Sequence, residues 1–509
     1  MPKNQLIILL FIVLSIKSMA QNIEKATPQW RPLYHFSPPT NWTNDPNGLV
    51  FLDGEFNLYY QHNPFENKWG HMSWGHATSK DLINWKNLPV AIPEVITTDT
   101  TTWIYSGSAV LDKNNTSGFG INGKTPLVAI FTADQPKQKK ESQFIAYSND
   151  NGLTYKLYAH NPVIDLNKRD FRDPNVFWYE PTKEWIMTVA MVEEHMVRIY
   201  GSKNLKEWIK LSDFGPAGYT KSGWECPSLL PLSVDNDPTN IKWVLFVSSG
   251  GDHGPLMQYY VGDFDGISFK NSNPENKVLT VDYGDAFYAA IAWRDAPDHK
   301  KILLGWLQNG RPETWPWKGQ MAIPHDLSLK TTPDGLILMQ SPSSIIRSSL
   351  PKYAKGGILS KKDIIINNES IEFSKAGHFD GNANWIDAEF RINESKQVGF
   401  NLAEKKESSK KVIVGYDAVK QELYVDCTSS EGGNKSPQNL VQTAPMKSVN
   451  GIVKIQILLD KSSLEVFGND GEKVISTMIY PDTDATGLSA FSNGKAVIRS
   501  LKLWDLNHK

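Results

Sequence analysis

The chain has 509 residues, enough for two or three domains with substantial cores. Its formal net charge of -2 argues against a nucleic-acid-binding protein and against one held by charge on an anionic membrane. Aromatic residues make up 11% of the chain and include 17 tryptophans, a content that suits sugar binding and core filling equally well.

The first twenty residues have the pattern of a secretory signal peptide. Lys3 supplies a positive charge, residues 6–16 are apolar, and residues 18–20 form a small-x-small cleavage site. The apolar segment is too short to span a bilayer, and no comparable run follows it. The sequence therefore predicts cleavage near Ala20 and a secreted or periplasmic mature chain without a membrane span.

From about residue 30, β-rich segments lead repeatedly into a short polar turn that ends in an aromatic residue. These turns lie 54 to 69 residues apart and begin at Ser79, Ser148, Ser202 and Gly262. The interval suits a unit of four antiparallel strands with long loops. Five such units over residues 30–345 predict a five-bladed β-propeller, whose radially arranged sheets bury their faces on one another. The alternative is a β-sandwich in which common turn residues recur by chance.

The sequence changes character after residue 345. Residues 346–357 are predicted to be a linker, and residues 358–509 contain short segments such as WIDAEFRI and VKIQILLD, separated by Gly, Asp and Asn turns. Apolar and polar residues alternate along these segments, as is typical of a β-sandwich. The predicted fold class is therefore all-β, a five-bladed β-propeller followed by a C-terminal β-sandwich.

Three acidic residues occupy similar positions in three of the predicted propeller units. Asp45, Asp173 and Glu225 lie 29 to 37 residues before the turn of their own unit, near its first strand. The first strand of a blade lines the central channel, so the three side chains are expected to converge on one pocket. A proline directly after Asp45 and after Asp173 favours extended backbone at both aspartates. Taken singly, each carboxylate could be an ordinary turn or cap residue.

Clustered carboxylates suit two kinds of chemistry. Like charges in close proximity raise at least one pKa, so that a protonated acid can face a carboxylate, the arrangement that cleaves glycosidic bonds. The alternative is a hard cation such as Ca²⁺, although a calcium loop normally gathers its oxygen ligands within a short stretch of sequence. Eleven scattered histidines and two cysteines, Cys226 and Cys427, lack metal-site spacing, so neither a catalytic metal nor another cofactor is expected. The two cysteines are expected to be free.

The segments around the three carboxylates resemble sequence hallmarks of glycoside hydrolase family 32, the β-fructosidases that include invertases, inulinases and levanases. Asp45 lies in WTNDPNG, Asp173 in FRDP and Glu225 in WECP, in the order and spacing of the family. Similar segments such as YYQHNP, YSGSAV and SSLEVFGNDG extend the resemblance through nearly all of the mature chain. The resemblance implies the same propeller and sandwich that the repeat indicates.

The resemblance also implies a retaining mechanism on β-D-fructofuranosyl units. Asp45 would be the nucleophile, Glu225 the acid/base and Asp173 the stabiliser of the transition state. Such a mechanism needs Asp45 ionised and Glu225 protonated, with the two carboxyl groups roughly 5–5.5 Å apart. The resemblance places five further residues around the fructose and leaves a sixth as either an aromatic wall or a core residue: Asn44, Gln61, Trp69, Ser106, Arg172 and, sixth, Trp306. Cys226 is expected to pack beside Glu225 without a chemical role.

The expected function is that of a secreted glycosidase that releases fructose from levan, inulin or sucrose, acting at chain ends. The alternatives are a fructosyltransferase, in which a sugar replaces water as acceptor, and a fructan-binding protein without activity. The expected partner is a fructan or sucrose and not a nucleic acid; the sequence does not determine the oligomeric state. Thr43 and His325 stand where the family usually has Met and Arg, and both are expected to bear on substrate preference.

Overall fold

The structure is a computed structural model that describes residues 27–251, 254–308, 314–373, 382–405, 407–430 and 440–507. The predicted signal peptide, residues 1–20, lies outside the described residues. Helical structure in the described residues consists of one α-helix, α1 (Ser344–Tyr353), and two short 3₁₀ segments, Pro28–Trp30 and Pro297–His299. No helix in this part of the chain is long and apolar enough to cross a membrane.

Residues 41–342 form five successive groups of mainly antiparallel strands, which we call blades 1 to 5. Blade 1 contains β1 (Asn41–Leu52), β2 (Glu55–Asn63), β3 (Ser73–Ser79) and β4 (Lys86–Ile92). Blade 2 contains β5 (Val95–Ile96), β6 (Thr101–Leu111), β7 (Leu127–Gln135), β8 (Lys140–Ser148), β9 (Lys156–Leu157) and β10 (Ile164–Lys168). Blade 3 contains β11 (Phe171–Tyr179), β12 (Glu184–Met191), β13 (Met196–Ser202) and β14 (Ile209–Phe214).

The last two blades share one nine-stranded sheet. Blade 4 contains β15 (Glu225–Val234), β16 (Asp237–Ser248), β17 (Met257–Phe264) and β18 (Phe269–Asn271). Blade 5 contains β19 (Phe287–Ala292), β20 (Ile302–Leu307), β21 (Trp317–Lys318), β22 (Gln320–Met321), β23 (His325–Thr332) and β24 (Gly335–Pro342). The nine-stranded sheet is continuous because β15 and β23 make one parallel contact, between Val234 and Leu329. β21 is not part of this sheet and pairs in parallel with the start of β1, in the sheet of blade 1.

The innermost strand of each blade contacts the innermost strand of the next. These strands are β1, β6, β11, β15 and β19, and β19 contacts β1 so that the ring closes. Apolar side chains fill every gap between neighbouring blades, because a sheet with two apolar faces must cover both of them. Representative buried residues between successive blades are Phe131, Trp185, Leu229, Phe246 and Leu304. The predicted five-bladed propeller is confirmed, and the sandwich alternative for this region is wrong.

The repeated turns of the sequence fall at the same place in the first four blades. Counted outward from the channel, Ser79, Ser148 and Ser202 end the third strand of blades 1, 2 and 3, and Gly262 lies in the third strand of blade 4. Each serine hydroxyl accepts a backbone N–H from the turn that follows, at 2.8 Å from Leu82 in blade 1. Short side-chain acceptors of this kind stabilise turns, which explains why the sequence recurs there.

Twelve further strands form two packed six-stranded sheets. Sheet one is built of β25 (Gly357–Asn367), β27 (Asn384–Arg391), β32 (Ile452–Leu459), β33 (Ser463–Gly468), β34 (Lys473–Met478) and β36 (Lys495–Asp505). Sheet two is built of β26 (Ser370–Glu372), β28 (Gln397–Glu404), β29 (Val412–Asp417), β30 (Glu422–Asp426), β31 (Val441–Pro445) and β35 (Gly487–Asn493). Their facing side chains form one core, in which the rings of Phe390 and Phe400 lie 5.6 Å apart. The predicted C-terminal β-sandwich is confirmed.

The sandwich packs directly on the propeller. Trp385, Phe467 and Trp504 of sheet one belong to the same buried cluster as residues of blades 1 and 5. Helix α1 occupies most of the predicted linker, and its buried Ile346 and Leu350 join that cluster. The connection therefore contributes to the core of the molecule.

Candidate active site

Polar side chains from all five innermost strands meet at one end of the propeller channel. The contributors, in blade order, are Asp45 on β1, Ser106 on β6, Asp173 on β11, Glu225 on β15 and Tyr288 on β19. They are connected by hydrogen bonds although their sequence positions span more than half of the propeller. The expected convergence of the three carboxylates is therefore present.

Asp45 is held by two side-chain donors. The Ser106 hydroxyl donates to Asp45 Oδ2 at 2.6 Å, and the Asn44 amide donates to Oδ1 at 3.0 Å. The pairing of β1 with β2 is irregular between Thr43 and Pro46, which frees this stretch from regular strand geometry. Burial raises the pKa of the Asp45 carboxyl, the bond from Ser106 opposes that rise, and the charge of Glu225 adds to it.

Asp173 occupies a left-handed backbone conformation, with φ of 65°, that orients its side chain toward β15. Its own N–H donates to Thr132 Oγ1 at 3.0 Å, and its Oδ2 accepts the backbone N–H of Cys226 at 2.9 Å. Burial, together with the negative charge of Glu225, raises the pKa of Asp173 to about 7, although Arg172 acts against the rise. The close approach of the carboxylates therefore raises the pKa of at least one of them, as the sequence predicts.

Both carboxyl oxygens of Glu225 accept hydrogen bonds. Arg172 Nε donates to Oε1 at 3.1 Å, and the Tyr288 hydroxyl donates to Oε2 at 2.6 Å. The side chain is 31% exposed, so it can meet a ligand that enters from solvent. Arg172 also pairs with Glu141 and Asp170, through Nη1, at 2.9 to 3.0 Å. Its positive charge is thus shared among several carboxylates.

Cys226 lies at the centre of the cluster. Its thiol is 3.6 Å from Asp45 Oδ2 and 3.5 Å from Asp173 Oδ2, which places both carboxylates against one sulfur atom. Burial and the surrounding carboxylates raise the pKa of the thiol well above its ordinary value, so it remains a neutral weak donor. The side chain of Cys226 thus bridges the two aspartates, and the expectation that it has no chemical role stays a prediction. Cys226 and Cys427 are both free thiols.

The remaining predicted pocket residues differ in how closely they approach the carboxylates. Gln61 is buried and donates to Asn47 Oδ1 and to the carbonyl of Ile104. Trp69 is 49% exposed and packs edge-on against Trp103. Within the described residues, no hydrogen bond joins Gln61 or Trp69 to Asp45, Asp173 or Glu225.

Trp306 reaches the site through another tryptophan. Its ring lies 6.1 Å from that of Trp42, and Trp42 Nε1 donates to Asn44 Oδ1 at 2.8 Å. The Trp306 ring nitrogen is buried without a hydrogen-bond partner among the described residues. Trp306 therefore supports Asn44, which in turn holds Asp45.

Sequence reasoning missed several contributors. Tyr288 lies in a segment of family resemblance, DYGDAFYAA, but nothing local indicates that its hydroxyl reaches Glu225. Glu141 and Thr132 carry no sequence signal, since they act through contacts between blades 2 and 3. Asp170 lies two residues before Arg172 and pairs with it locally. Among the described residues, no group of three or more His, Cys, Asp or Glu side chains has the arrangement of a metal site.

The two departures from the family pattern are buried away from solvent. Thr43 donates its hydroxyl to the carbonyl of Gln61 at 3.1 Å, inside blade 1. His325 stacks on Phe287 and contacts Glu465 of the sandwich. Both therefore contribute to packing, and their bearing on substrate preference stays a prediction.

Comparison with known proteins decides the family. Residues 35–342 match the model described as the N-terminal domain of glycosyl hydrolases family 32, and residues 357–505 match the C-terminal one. The chain belongs to glycosyl hydrolase family 32. The suspected family is thus confirmed, and the family 32 protein is a glycosidase of the β-fructofuranosidase type.

Individual relatives resemble the family 32 protein over most of its length. A levanase of Bacillus subtilis (strain 168) is 42% identical, over 98% of this chain and 73% of the levanase. An extracellular exo-inulinase of Aspergillus niger is 36% identical over 92% of each chain. The crystal structure of an exo-inulinase from Aspergillus awamori superposes with a TM-score of 0.86 at 34% identity, covering 94% of this chain and 98% of the other.

Proposed function

We propose that the family 32 enzyme hydrolyses β-D-fructofuranosyl linkages of fructans or sucrose with retention of configuration and releases fructose. One observation supports this most directly: Asp45, Asp173 and Glu225 meet at one channel end, with Cys226 bridging the aspartates and Arg172 reaching Glu225. Two carboxyl groups on either side of a glycosidic bond suffice for such chemistry. The reaction calls for no cofactor.

Asp45 is assigned as the nucleophile. Its carboxylate attacks the anomeric carbon while the bond from that carbon to the leaving oxygen breaks, which gives a covalent fructosyl-enzyme. Hydrogen bonds from Ser106 and Asn44 favour the ionised form against the effect of burial. They also fix the direction in which the attacking oxygen points.

Glu225 is assigned as the acid/base. It gives its proton to the leaving oxygen in the first step and takes a proton from the attacking water in the second, so the enzyme returns to its starting state. Tyr288 and Arg172 orient the carboxyl group. The exposure of Glu225 suits a group that must meet both a leaving sugar and water.

Asp173 is assigned as the stabiliser of the transition state. The Cys226 N–H occupies Asp173 Oδ2, and Oδ1 accepts no hydrogen bond within the described residues. Oδ1 is thus available to accept hydrogen bonds from sugar hydroxyls. Such bonds strengthen as positive charge develops on the ring.

The substrate class and place of action rest on other observations. The names levanase and exo-inulinase, given to relatives of 42% and 36% identity, support fructans as substrates, and the exo-inulinase supports action at chain ends. The extracellular location named for that relative and the signal-like pattern of residues 1–20 support secretion. Trp69 is half exposed and packs against Tyr105, the residue before Ser106, so it suits stacking against a sugar ring.

The roles of the carboxylates can be tested by two isosteric variants. We expect Asp45→Asn and Glu225→Gln each to lower kcat on sucrose by at least about 10³-fold, because a group that acts in both steps is lost. Asp53→Asn is the matched control, because Asp53 lies in the exposed β1–β2 turn and bonds to Asn151. Far-ultraviolet circular dichroism and melting temperature establish folding. Wild-type turnover in either site variant would contradict the assignment.

Substrate and mode of action are read from products. Levan, inulin and sucrose are incubated side by side with the wild-type enzyme, and products are separated by chromatography over time. We expect fructose as the first and main product from a fructan. Early release of oligosaccharides would refute action at chain ends, and products longer than the sucrose supplied would indicate fructosyl transfer.

A further inference from the structure

A second cavity lies at the opposite end of the propeller channel. Its volume is about 460 Å³, and later parts of the same innermost strands line it, including Leu111 on β6, Phe177 on β11 and Pro231 on β15. Phe177 follows Asp173 by four residues, which at about 3.3 Å per residue separates this cavity from the carboxylates by about 13 Å. The cavity is therefore distinct from the candidate active site.

Two half-buried cations of this cavity, Arg294 and Lys301, form no ion pair with a carboxylate of the described residues. Arg294 donates to Asn175 Oδ1 and lies over the ring of Phe177, and Lys301 lies on the same wall. No carboxylate oxygen of the described residues lies within 4 Å of either charged group. Burial lowers the pKa of Arg294 to about 10 and, together with the charge of Arg294, lowers that of Lys301. Buried charges in proteins are normally paired.

The carboxylates at the rim already have partners. Asp295 accepts a bond from Lys113 at 2.5 Å, and Glu180 accepts the indole N–H of Trp178 at 2.6 Å. The charge of Asp295 also acts on Arg294 and Lys301, where it opposes the effect of burial on the pKa without cancelling it. The wall of the cavity thus has a surplus of positive charge.

The other walls are aromatic. Trp178, Trp185 and Trp243 all line the cavity. A volume of a few hundred Å³, apolar walls and a few convergent polar groups are the usual features of a small-molecule site. Indole rings offer flat faces to a ring, while Arg294 and Lys301 offer donors to an anion.

We propose that this cavity binds a small organic anion in which one phosphate or carboxylate group is attached to a sugar-sized ring. Arg294 and Lys301 hold the anionic group, and the tryptophans enclose the ring. The site is independent of the hydrolytic reaction, because none of its residues contacts Asp45, Asp173 or Glu225 in the described contacts.

Calorimetric titration of the full chain with glucose 6-phosphate, inorganic phosphate and glucose tests the proposal. We expect glucose 6-phosphate to bind with one equivalent and at least tenfold more tightly than glucose. Lys301→Met and Arg294→Met should each weaken that binding by at least tenfold while hydrolysis of sucrose is retained. Arg198→Met, which removes an arginine from the outer part of blade 3, is the matched control and should bind as the wild type does.

The proposal is overturned if the wild type binds glucose 6-phosphate no better than glucose, or if Lys301→Met binds it unchanged. The melting temperature of each variant establishes folding. Should Arg294→Met fail to fold, the wild-type comparison and Lys301→Met still decide the matter. If inorganic phosphate binds and glucose 6-phosphate binds no more tightly than it does, the proposed role of the tryptophans is overturned.

Discussion

At the scale of single residues, the candidate active site is crowded with like charges in a buried setting. Asp45 and Asp173 both contact the thiol of Cys226, and burial raises the pKa of each. Bringing them together costs stability, because neither carboxylate can be fully hydrated. The protein therefore loses stability at the residues where the chemistry is expected to occur. Such a trade-off between activity and stability is common.

Asp173→Asn should stabilise the protein while it removes activity. Because the pKa of Asp173 is about 7 in the folded state and about 4 when unfolded, the folded state binds more protons between those values. Wild-type stability is therefore lost as the pH rises from about 4 to about 7, on the order of 2–4 kcal/mol. Asparagine tolerates the left-handed backbone and can still accept the Cys226 N–H.

The melting temperatures of wild type and Asp173→Asn should accordingly agree near pH 4 and diverge toward pH 8, with the variant higher. Its kcat on sucrose should fall by at least about 10²-fold, as for loss of a group that stabilises a transition state. Asp53→Asn, on the surface, should show neither effect. A variant that melts below the wild type at pH 8 contradicts the electrostatic explanation.

At the scale of elements, the blades repeat one turn in which a side chain caps the end of the third strand. In blades 1 to 3 the cap is a serine hydroxyl, and in blade 4 Asp265 accepts the backbone N–H groups of Ile267 and Ser268. Asp81 in blade 1 makes the same pair of bonds beside the serine, so blade 4 keeps this second part of the turn without the serine. The recurrence visible in the sequence thus has a common hydrogen-bonding cause.

Ser202→Ala measures what this turn contributes. Ser202 is buried and its hydroxyl accepts the N–H of buried Leu205 at 2.9 Å, so its removal leaves that donor unsatisfied. We expect a loss of about 1–3 kcal/mol in the free energy of unfolding, measured by urea denaturation. Ser360→Ala on exposed β25 is the control and should change stability by less than about 0.5 kcal/mol. Equal effects of the two substitutions would contradict this explanation of the turn.

At the scale of the whole molecule, a buried ionic network joins the propeller to the sandwich. His35 contacts Asp460 at 2.8 Å and Glu465 at 2.7 Å, and His325 contacts the other oxygen of Glu465 at 3.3 Å. Asp460 also accepts the backbone N–H groups of Leu33 and His35. The sandwich therefore fixes the segment that leads into β1, the strand that carries Asp45.

This network makes the stability of the molecule depend on pH. Burial would lower the pKa of His35, but bonds to Asp460 and Glu465 raise it to about 9, and bonds from His325 and His35 bring the pKa of Glu465 to about 2. The contribution of His35 is complete below about pH 6.5 and is lost as the pH rises to about 9. The contribution of Glu465 is complete above about pH 4.5 and is lost as the pH falls to about 2.

His35→Gln should therefore cost most between about pH 4.5 and 6.5 and progressively less toward pH 9, on the order of 3 kcal/mol at its largest. The measurement is the difference in melting temperature from the wild type across that range. His71→Gln is the matched control, because His71 pairs with Glu94 at the surface with half its side chain exposed. A difference that does not vary with pH contradicts the charged state of His35.

The sequence by itself determined the architecture and the three carboxylates. Both can be recognised from short segments of sequence. Strand periodicity and repeated turns predict the blades, and short motifs identify Asp45, Asp173 and Glu225 as the candidate acids. The prediction that the acids converge also needed only the rule that innermost strands line the channel.

Only the tertiary structure decided what surrounds those acids. The contacts of Tyr288 with Glu225, of Cys226 with the aspartates, of His35 with Glu465 and of Arg294 with Asn175 join residues far apart in the chain. No local pattern encodes such a contact, because each depends on how neighbouring blades and the sandwich pack. The same packing buries the carboxyl groups of Asp45 and Asp173, and this burial raises the pKa of both.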